Sequence, residues 1–299
     1  ALLLINYLLS SYLANPDDGI TQRKAAGKQK GHTEWLNRNE EILAELGHIL
    51  RPERGQQRKI APGVLLKTLR FALEERDAYD AELVAFVRSL LVPPPPSGTP
   101  LKLWLNNHSF SQAQQDRHVD ELLGGQRDGF FVEAGGLDGE SASNTLFFEL
   151  HRGWTGLLIE PLPNYVEMIV SKRRNVHVLN ACLGKWRPFV ARFKVWKWAS
   201  GREAEMSRHQ QDRFFSAHAN DTETMYVPCF SLHTVLAALG RTRVDYFSLD
   251  VEGGEYDVLT GIRHDLLDIG VISLERNRRY AEIDSYLTNN AYGNYTLVR

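Results

Sequence analysis

Phe130-Phe131-Val132-Glu133-Ala134-Gly135-Gly136-Leu137-Asp138-Gly139 is an apolar run that closes on an acid and enters a glycine-rich turn, with the spacing acid-x-Gly-x-x-x-Gly. A strand buried on both faces of a parallel sheet requires a continuous apolar run of this kind. Glycine lacks Cβ and tolerates positive φ, so a turn built on Gly135 and Gly139 can bring backbone close to a nucleotide-like ligand. The stretch from Ser141 to His151 carries Leu146, Phe147 and Leu150 at helical spacing. Strand, turn and helix follow in the order of a nucleotide-binding βα unit.

Two further strands end in acids. Thr155-Gly156-Leu157-Leu158-Ile159-Glu160 places Glu160 27 residues beyond Glu133, near the position at which a dinucleotide-binding unit offers an acid to ribose hydroxyls. Val244 to Asp250 is a third apolar strand, continued by Val251-Glu252-Gly253-Gly254-Glu255. Ligands of open α/β sheets bind beyond the carboxyl ends of the strands, so these acids should share one crevice with the glycine turn.

The rest of the chain fits that frame. Residues 109–299 alternate strands and helices: Phe130 to Glu133, Ser141 to His151, Gly156 to Glu160, Asn164 to Arg174, Val176 to Leu179, Ser231 to Leu239, Val244 to Asp250, Glu255 to Gly261, Val271 to Leu274 and Ala281 to Asn289. This predicts an α/β Rossmann-like parallel sheet with helices on both faces. Residues 1–92 read as a small helical region, with Val64 to Glu75 and Asp77 to Val92 as helices and Asp77 as the N-cap of the second. Residues 93–108, opening on Pro93-Pro94-Pro95-Pro96, read as a stiff linker and a domain boundary.

With 299 residues, 43% of them hydrophobic, and a net charge of −2, the chain suits a globular protein with no global field for nucleic acid or an anionic membrane. One stretch departs from this balance. Met168 to Arg202 carries Lys172, Arg173, Arg174, Lys185, Arg187, Arg192, Lys194, Lys197 and Arg202 without an acid, interleaved with Trp186, Phe189, Phe193, Trp196 and Trp198. Its alternation predicts a solvated antiparallel hairpin rather than a nucleic-acid surface, with a site for an anionic acceptor between those readings.

Cys182 and Cys229 lack metal-ligand spacing and read either as a pair, in an oxidising compartment, or as two buried thiols. Asn107, Asn220 and Asn294 head glycosylation sequons. The apolar start, Ala1 to Leu13, is too short to span a bilayer unaided and reads as a buried helix or the remnant of a truncated membrane anchor.

Gly129 to Gly139, Leu158 to Pro161 and Ser248 to Glu255 resemble the S-adenosylmethionine-dependent methyltransferases of the FkbM type. Ser111-Gln112-x-x-Gln115-Asp116, Ser143-Asn144-Thr145-Leu146-Phe147, Trp154 to Glu160, Asn180-Ala181-Cys182-Leu183 and Val244 to Gly253 resemble more narrowly the arthropod Star group. The family resemblance implies a Rossmann-like sheet over residues 109–299, S-adenosylmethionine as methyl donor, and an oxygen acceptor on a small molecule or glycan. The Star resemblance implies the alternative: a trafficking protein of secretory-pathway membranes (endoplasmic reticulum, Golgi and endosome) that carries protein cargo on the same fold without catalysis. Membrane association would then come through the truncated anchor; cytoplasm is the alternative location, and nucleic acid is not an expected partner.

On this resemblance Glu133, Gly135, Gly139 and Glu160 are the cofactor-binding candidates. Gly135 and Gly139 would allow close approach, Glu160 would hold ribose, and Glu133 would orient the loop or reach the amino-acid end. Asp250 and Glu252 are the catalytic candidates, as base for an acceptor hydroxyl. With Glu255 they offer oxygen ligands to a hard divalent cation; equally, Asp250 could bind the methionine of the cofactor and Glu255 could favour its helix N-terminus. Ser231-Leu232-His233 departs from the family's frequent Thr-Leu-Asp, and His233 reads as an ordinary core or surface histidine.

Overall fold

The computed structural model describes residues 60–104, 111–196, 199–204, 215, 218–275 and 279–290. In chain order the elements are α1 (Pro62–Leu73), α2 (Ala81–Leu90), α3 (Gln115–Leu122), β1 (Phe130–Ala134), α4 (Leu146–Arg152), β2 (Thr155–Ile159), α5 (Pro163–Ser171), β3 (Val176–Leu179), β4 (Cys182–Gly184), β5 (Phe189–Trp196), β6 (Ala199–Arg202), β7 (Glu223–Ser231), α6 (Leu232–Leu239), β8 (Arg243–Leu249), α7 (Glu255–Thr260), β9 (Asp268–Leu274) and α8 (Tyr280–Asn289).

β1 is buried along its whole length. Phe130, Val132 and Ala134 enter one core with Leu157 of β2, Leu236 of α6 and Phe247 of β8. Phe131 enters a second core with Phe148 of α4, Ile169 of α5 and Tyr246 of β8. This alternation with both faces covered is why the sequence reads as an uninterrupted apolar run. The sheet around it has the order β3-β2-β1-β8-β9, with every pairing parallel. The order reverses between β1 and β8, and the crevice of an open α/β sheet lies at the carboxyl ends of the strands flanking that point.

Three expectations change. The boundary at residues 93–108 does not separate two cores, because Phe71, Leu83, Phe86 and Val87 of α1 and α2 share the core that holds β1, α6 and β8. The N-cap of α2 is Asp80, whose side chain accepts from the N–H groups of Glu82 and Leu83. Asp77 instead accepts from Tyr79 N and Trp186 Nε1. The helix expected from Ser141 begins at Leu146, since residues 138–145 form a loop held by side-chain hydrogen bonds.

The basic aromatic stretch is an antiparallel hairpin, β5 against β6, in a second sheet of order β4-β7-β5-β6. One of its two inner strands, β7, contains Pro228, a residue usually confined to strand edges. It is tolerated because β4 pairs only with Cys229 to Ser231, leaving β7 open on that side at Pro228. The cations of the stretch are largely paired. Lys185 meets Asp257, Arg187 meets Glu75, and Arg192 and Lys194 both meet Glu203. Lys172 and Arg174, counted from sequence with a solvated surface, are buried against Glu140 and Glu149. Cys182 and Cys229 are joined in a disulfide across the β4–β7 pair. Among the described residues no helix is long and apolar enough to cross a membrane, and Ala1 to Leu13 lie outside them.

Candidate functional site

One cavity opens at the carboxyl ends of β1, β2 and β8. Glu133, Gly135, Gly136, Leu137, Glu160, Asp250 and Glu252 line it, so the sequence candidates come together with one exception.

The exception is Gly139. Its φ is +80°, and a Cβ there would lie 3.1 Å from Ile169 Cγ1. The residue serves the packing of the turn on α5 and does not line the cavity. Gly135, at φ +93°, faces backbone: a Cβ would lie 1.9 Å from the carbonyl oxygen of Asp250. Its freedom from a side chain lets β1 and β8 close on each other. Gly135 and Gly136 both donate to Ile159 O.

Glu133 is buried and accepts from Ser143 Oγ at 2.9 Å, Asn144 N at 2.7 Å and Thr145 Oγ1 at 2.5 Å. Burial pushes its carboxyl above the usual range, against the pull of Arg174 and these donors. Arg174, fully enclosed, donates to Gly139 O, Ser143 Oγ and Thr145 Oγ1. Glu140 pairs with Lys172 and accepts from Trp104 N. The loop between β1 and α4 is thus stitched from both ends by buried charged groups. Nothing in the spacing of Lys172 and Arg174 marks them as loop anchors.

Glu160 is also buried, but its contacts are backbone amides: Oε2 accepts from Leu137 N at 3.0 Å and Oε1 from Leu162 N at 2.9 Å. Desolvation raises its carboxyl to about 8. Each oxygen retains a second lone pair for a donor from the cavity.

Asp250 is partly exposed and its carboxyl is raised to about 7, first by burial and then by Glu252, Glu255 and Glu133. Glu255 is turned inward and accepts from Val251 N and Gly253 N, holding the turn after β8. The carboxylate that joins Asp250 and Glu255 is Glu275, just past β9; ligand oxygens of these three lie within 4.8 Å of one another. In the sequence it is Glu252 that stands beside Asp250 and Glu255. Glu275 is raised to about 8 by desolvation and by the neighbouring acids.

Several other residues line the cavity without being site candidates in the sequence. Asn144 donates from Nδ2 to Ser248 Oγ, and its buried Oδ1 has no hydrogen-bond partner among the described residues. Gln112, Gln115, Tyr165, Phe193, Ser200 and Arg202 also line the walls. His233 lies in neither the cavity nor solvent: it is buried, Nδ1 meets Tyr79 Oη at 2.8 Å, and Nε2 accepts from Arg263 N at 3.0 Å. Burial and the Arg263 charge lower it to about 4, so it acts as a neutral tie between α6 and its neighbours.

Comparison with curated proteins and with solved structures finds no match. The family model described as "Methyltransferase FkbM domain" matches residues 125–293, from the turn before β1 to beyond α8. That span contains the parallel sheet and every candidate acid, and the chain belongs to the FkbM methyltransferase family.

Proposed function

We propose that this chain is an S-adenosylmethionine-dependent methyltransferase acting on an acceptor oxygen. The observation that carries the reading is the pair of unspent acceptors in the cavity: Glu160, whose carboxylate is met among the described residues by two amides alone, and Asn144 Oδ1, met by none of them. A cofactor with a ribose diol and an ammonium group supplies the donors they lack. An acidic lining also suits a ligand bearing a sulfonium charge. Bound there, the cofactor would supply an electrophilic methyl group. Glu160 would hold the ribose hydroxyls and Asn144 Oδ1 the ammonium. Gly135 to Leu137 would form the floor. Asp250 would accept the proton of the acceptor hydroxyl, its pKa near 7 matching a base working near neutrality.

Isothermal titration with S-adenosylhomocysteine tests the cofactor half. Glu160→Ala should lower affinity about tenfold to a hundredfold, the range for losing hydrogen bonds to a charged group. Asp250→Asn should leave it within about twofold. Because hydroxyl donors prefer the ionised acceptor, affinity in the wild type should rise with pH up to about 8 and level off above it. No binding at millimolar ligand by the folded chain would refute the reading, and equal losses in both variants would show the roles to be wrongly divided.

We further propose that the chain works in an oxidising compartment of the secretory pathway. The Cys182–Cys229 disulfide supports this, as does the exposed sequon residue Asn220. Chain made in animal cells should lose mass on treatment with an N-glycosidase, and Asn220→Gln should remove that change at this position. An Asn220 that stays unmodified would count against the location.

A further inference from the structure

The stretch Ser111-Gln112-Ala113-Gln114-Gln115-Asp116 lies outside the residues that the family model matches, and it holds none of the candidate acids or glycines. The fold nevertheless brings it to the cavity, where Gln112 and Gln115 both form part of the wall. Two contacts fix it there. Ser111 pairs with Ala142 in a parallel bridge, which sets Gln112 beside the loop that carries Asn144. Asp116, fully buried, accepts from Ser111 Oγ at 2.7 Å and from Arg117 N at 2.9 Å, which closes the segment on the first turn of α3.

Both side chains keep donors for a ligand. Gln115 Oε1 accepts from Ala113 N at 2.8 Å. A backbone N–H can meet only the oxygen of an amide, so this bond fixes which end is which and leaves Nε2 as the end without a partner among the described residues. Gln112 is exposed, and its amide has no hydrogen bond to any described residue.

Beside the ammonium given to Asn144 Oδ1, S-adenosylmethionine carries a carboxylate. The two groups hang on one carbon, so whatever holds the carboxylate must stand next to Asn144. The acids Glu133, Asp250 and Glu252 of the same lining would repel it. Arg174 is already paired with Glu133 and Glu149. Arg202 comes from β6 of the second sheet, whereas the two glutamines come from the segment bridged to the Asn144 loop. Amide N–H groups bind a carboxylate without adding positive charge, so the lining keeps its attraction for the sulfonium.

We propose that Gln112 and Gln115 bind the carboxylate of the cofactor, each donating from Nε2, so that the segment before α3 recognises the amino-acid end. The inference rests on the S-adenosylmethionine reading.

The test is calorimetry of the full chain with S-adenosylmethionine and with decarboxylated S-adenosylmethionine, which differ at that carboxylate alone. The wild type should bind the first at least about tenfold more tightly, as expected for hydrogen bonds to a charged group. Gln115→Glu keeps an oxygen for Ala113 N and replaces the free amide nitrogen by a charged oxygen. It should abolish or reverse the preference while affinity for the decarboxylated compound stays within about twofold. Gln112→Ala, at an exposed position, should reduce the preference in the same direction and covers the case in which Gln115→Glu fails to fold. The proposal is overturned if the wild type binds the two compounds equally, if the variants keep the wild-type preference, or if they lose both compounds together, as a merely structural role would require. A wild type that binds neither compound would overturn the cofactor reading itself, and this proposal with it.

Discussion

Gly135→Ala is expected to cost about 4 kcal/mol or more of folding stability, seen as a melting temperature lower by about 10 °C or more. The added Cβ would sit 1.9 Å from the carbonyl oxygen of Asp250, a backbone atom with no side-chain freedom to yield. Nor can the strands part cheaply. Ala134 and Leu249 are partners in the β1–β8 register, and Asp250 N donates to Ala134 O at 3.0 Å. The φ of +93° adds strain of its own for any residue with a side chain. Gly240→Ala is the matching control: φ is +69°, but nothing lies within 4 Å of the added Cβ, so the cost should be about 1 kcal/mol. Equal melting of the two variants would show that the close approach of β1 and β8 is not what requires glycine at 135.

Asp250→Asn should give the second large effect, and in opposite directions for rate and stability. If Asp250 takes the acceptor proton, its loss should slow methyl transfer by roughly 10²–10⁴. Release of S-adenosylhomocysteine in the presence of hydroxylated acceptors measures this. Wild-type rate should climb as pH rises through about 7, and the variant should lose that limb. Stability should move the other way. The folded carboxyl titrates near 7 instead of at the ordinary 3.8, so its stabilising contribution is complete below about 3.8 and is lost as pH rises through about 7. The amide cannot ionise and escapes that loss. At pH 8 the variant should therefore be more stable by about 1–2 kcal/mol, a figure discounted because the carboxyl keeps solvent access, and the gain should vanish near pH 4. A variant that retains full rate, or that is less stable at pH 8, would remove Asp250 from the role given to it.

What the sequence discloses of this molecule follows from which contacts are local. β1, β2 and β8 were legible because strands covered on both faces have no polar side to disguise them. Glu133, Glu160 and Asp250 were legible because each ends such a strand, and strand ends in a parallel sheet converge. Glu275 was not, because only the pairing of β8 with β9 carries it to Asp250. Lys172 and Arg174 look like members of a basic surface until their distant partners, Glu140 and Glu149, are known. β7 was not legible, because the strands it pairs with, β4 and β5, lie far from it along the chain. The two cysteines carried no preference between thiols and bridge until β4 and β7 were seen side by side.

The disulfide has a bearing on how such a molecule can diversify. Cys182 and Cys229 are 47 residues apart, and between them run β5, β6 and most of β7. The parallel sheet takes no strand from that interval. The bridge therefore fastens the interval at its base, so that both ends return to one spot whatever lies between. Phe193, Ser200 and Arg202 sit inside this tied cassette, while Glu133, Glu160 and Asp250 sit outside it. Insertions, deletions or wholesale exchange within the cassette can remodel one wall of the cavity and leave the other undisturbed.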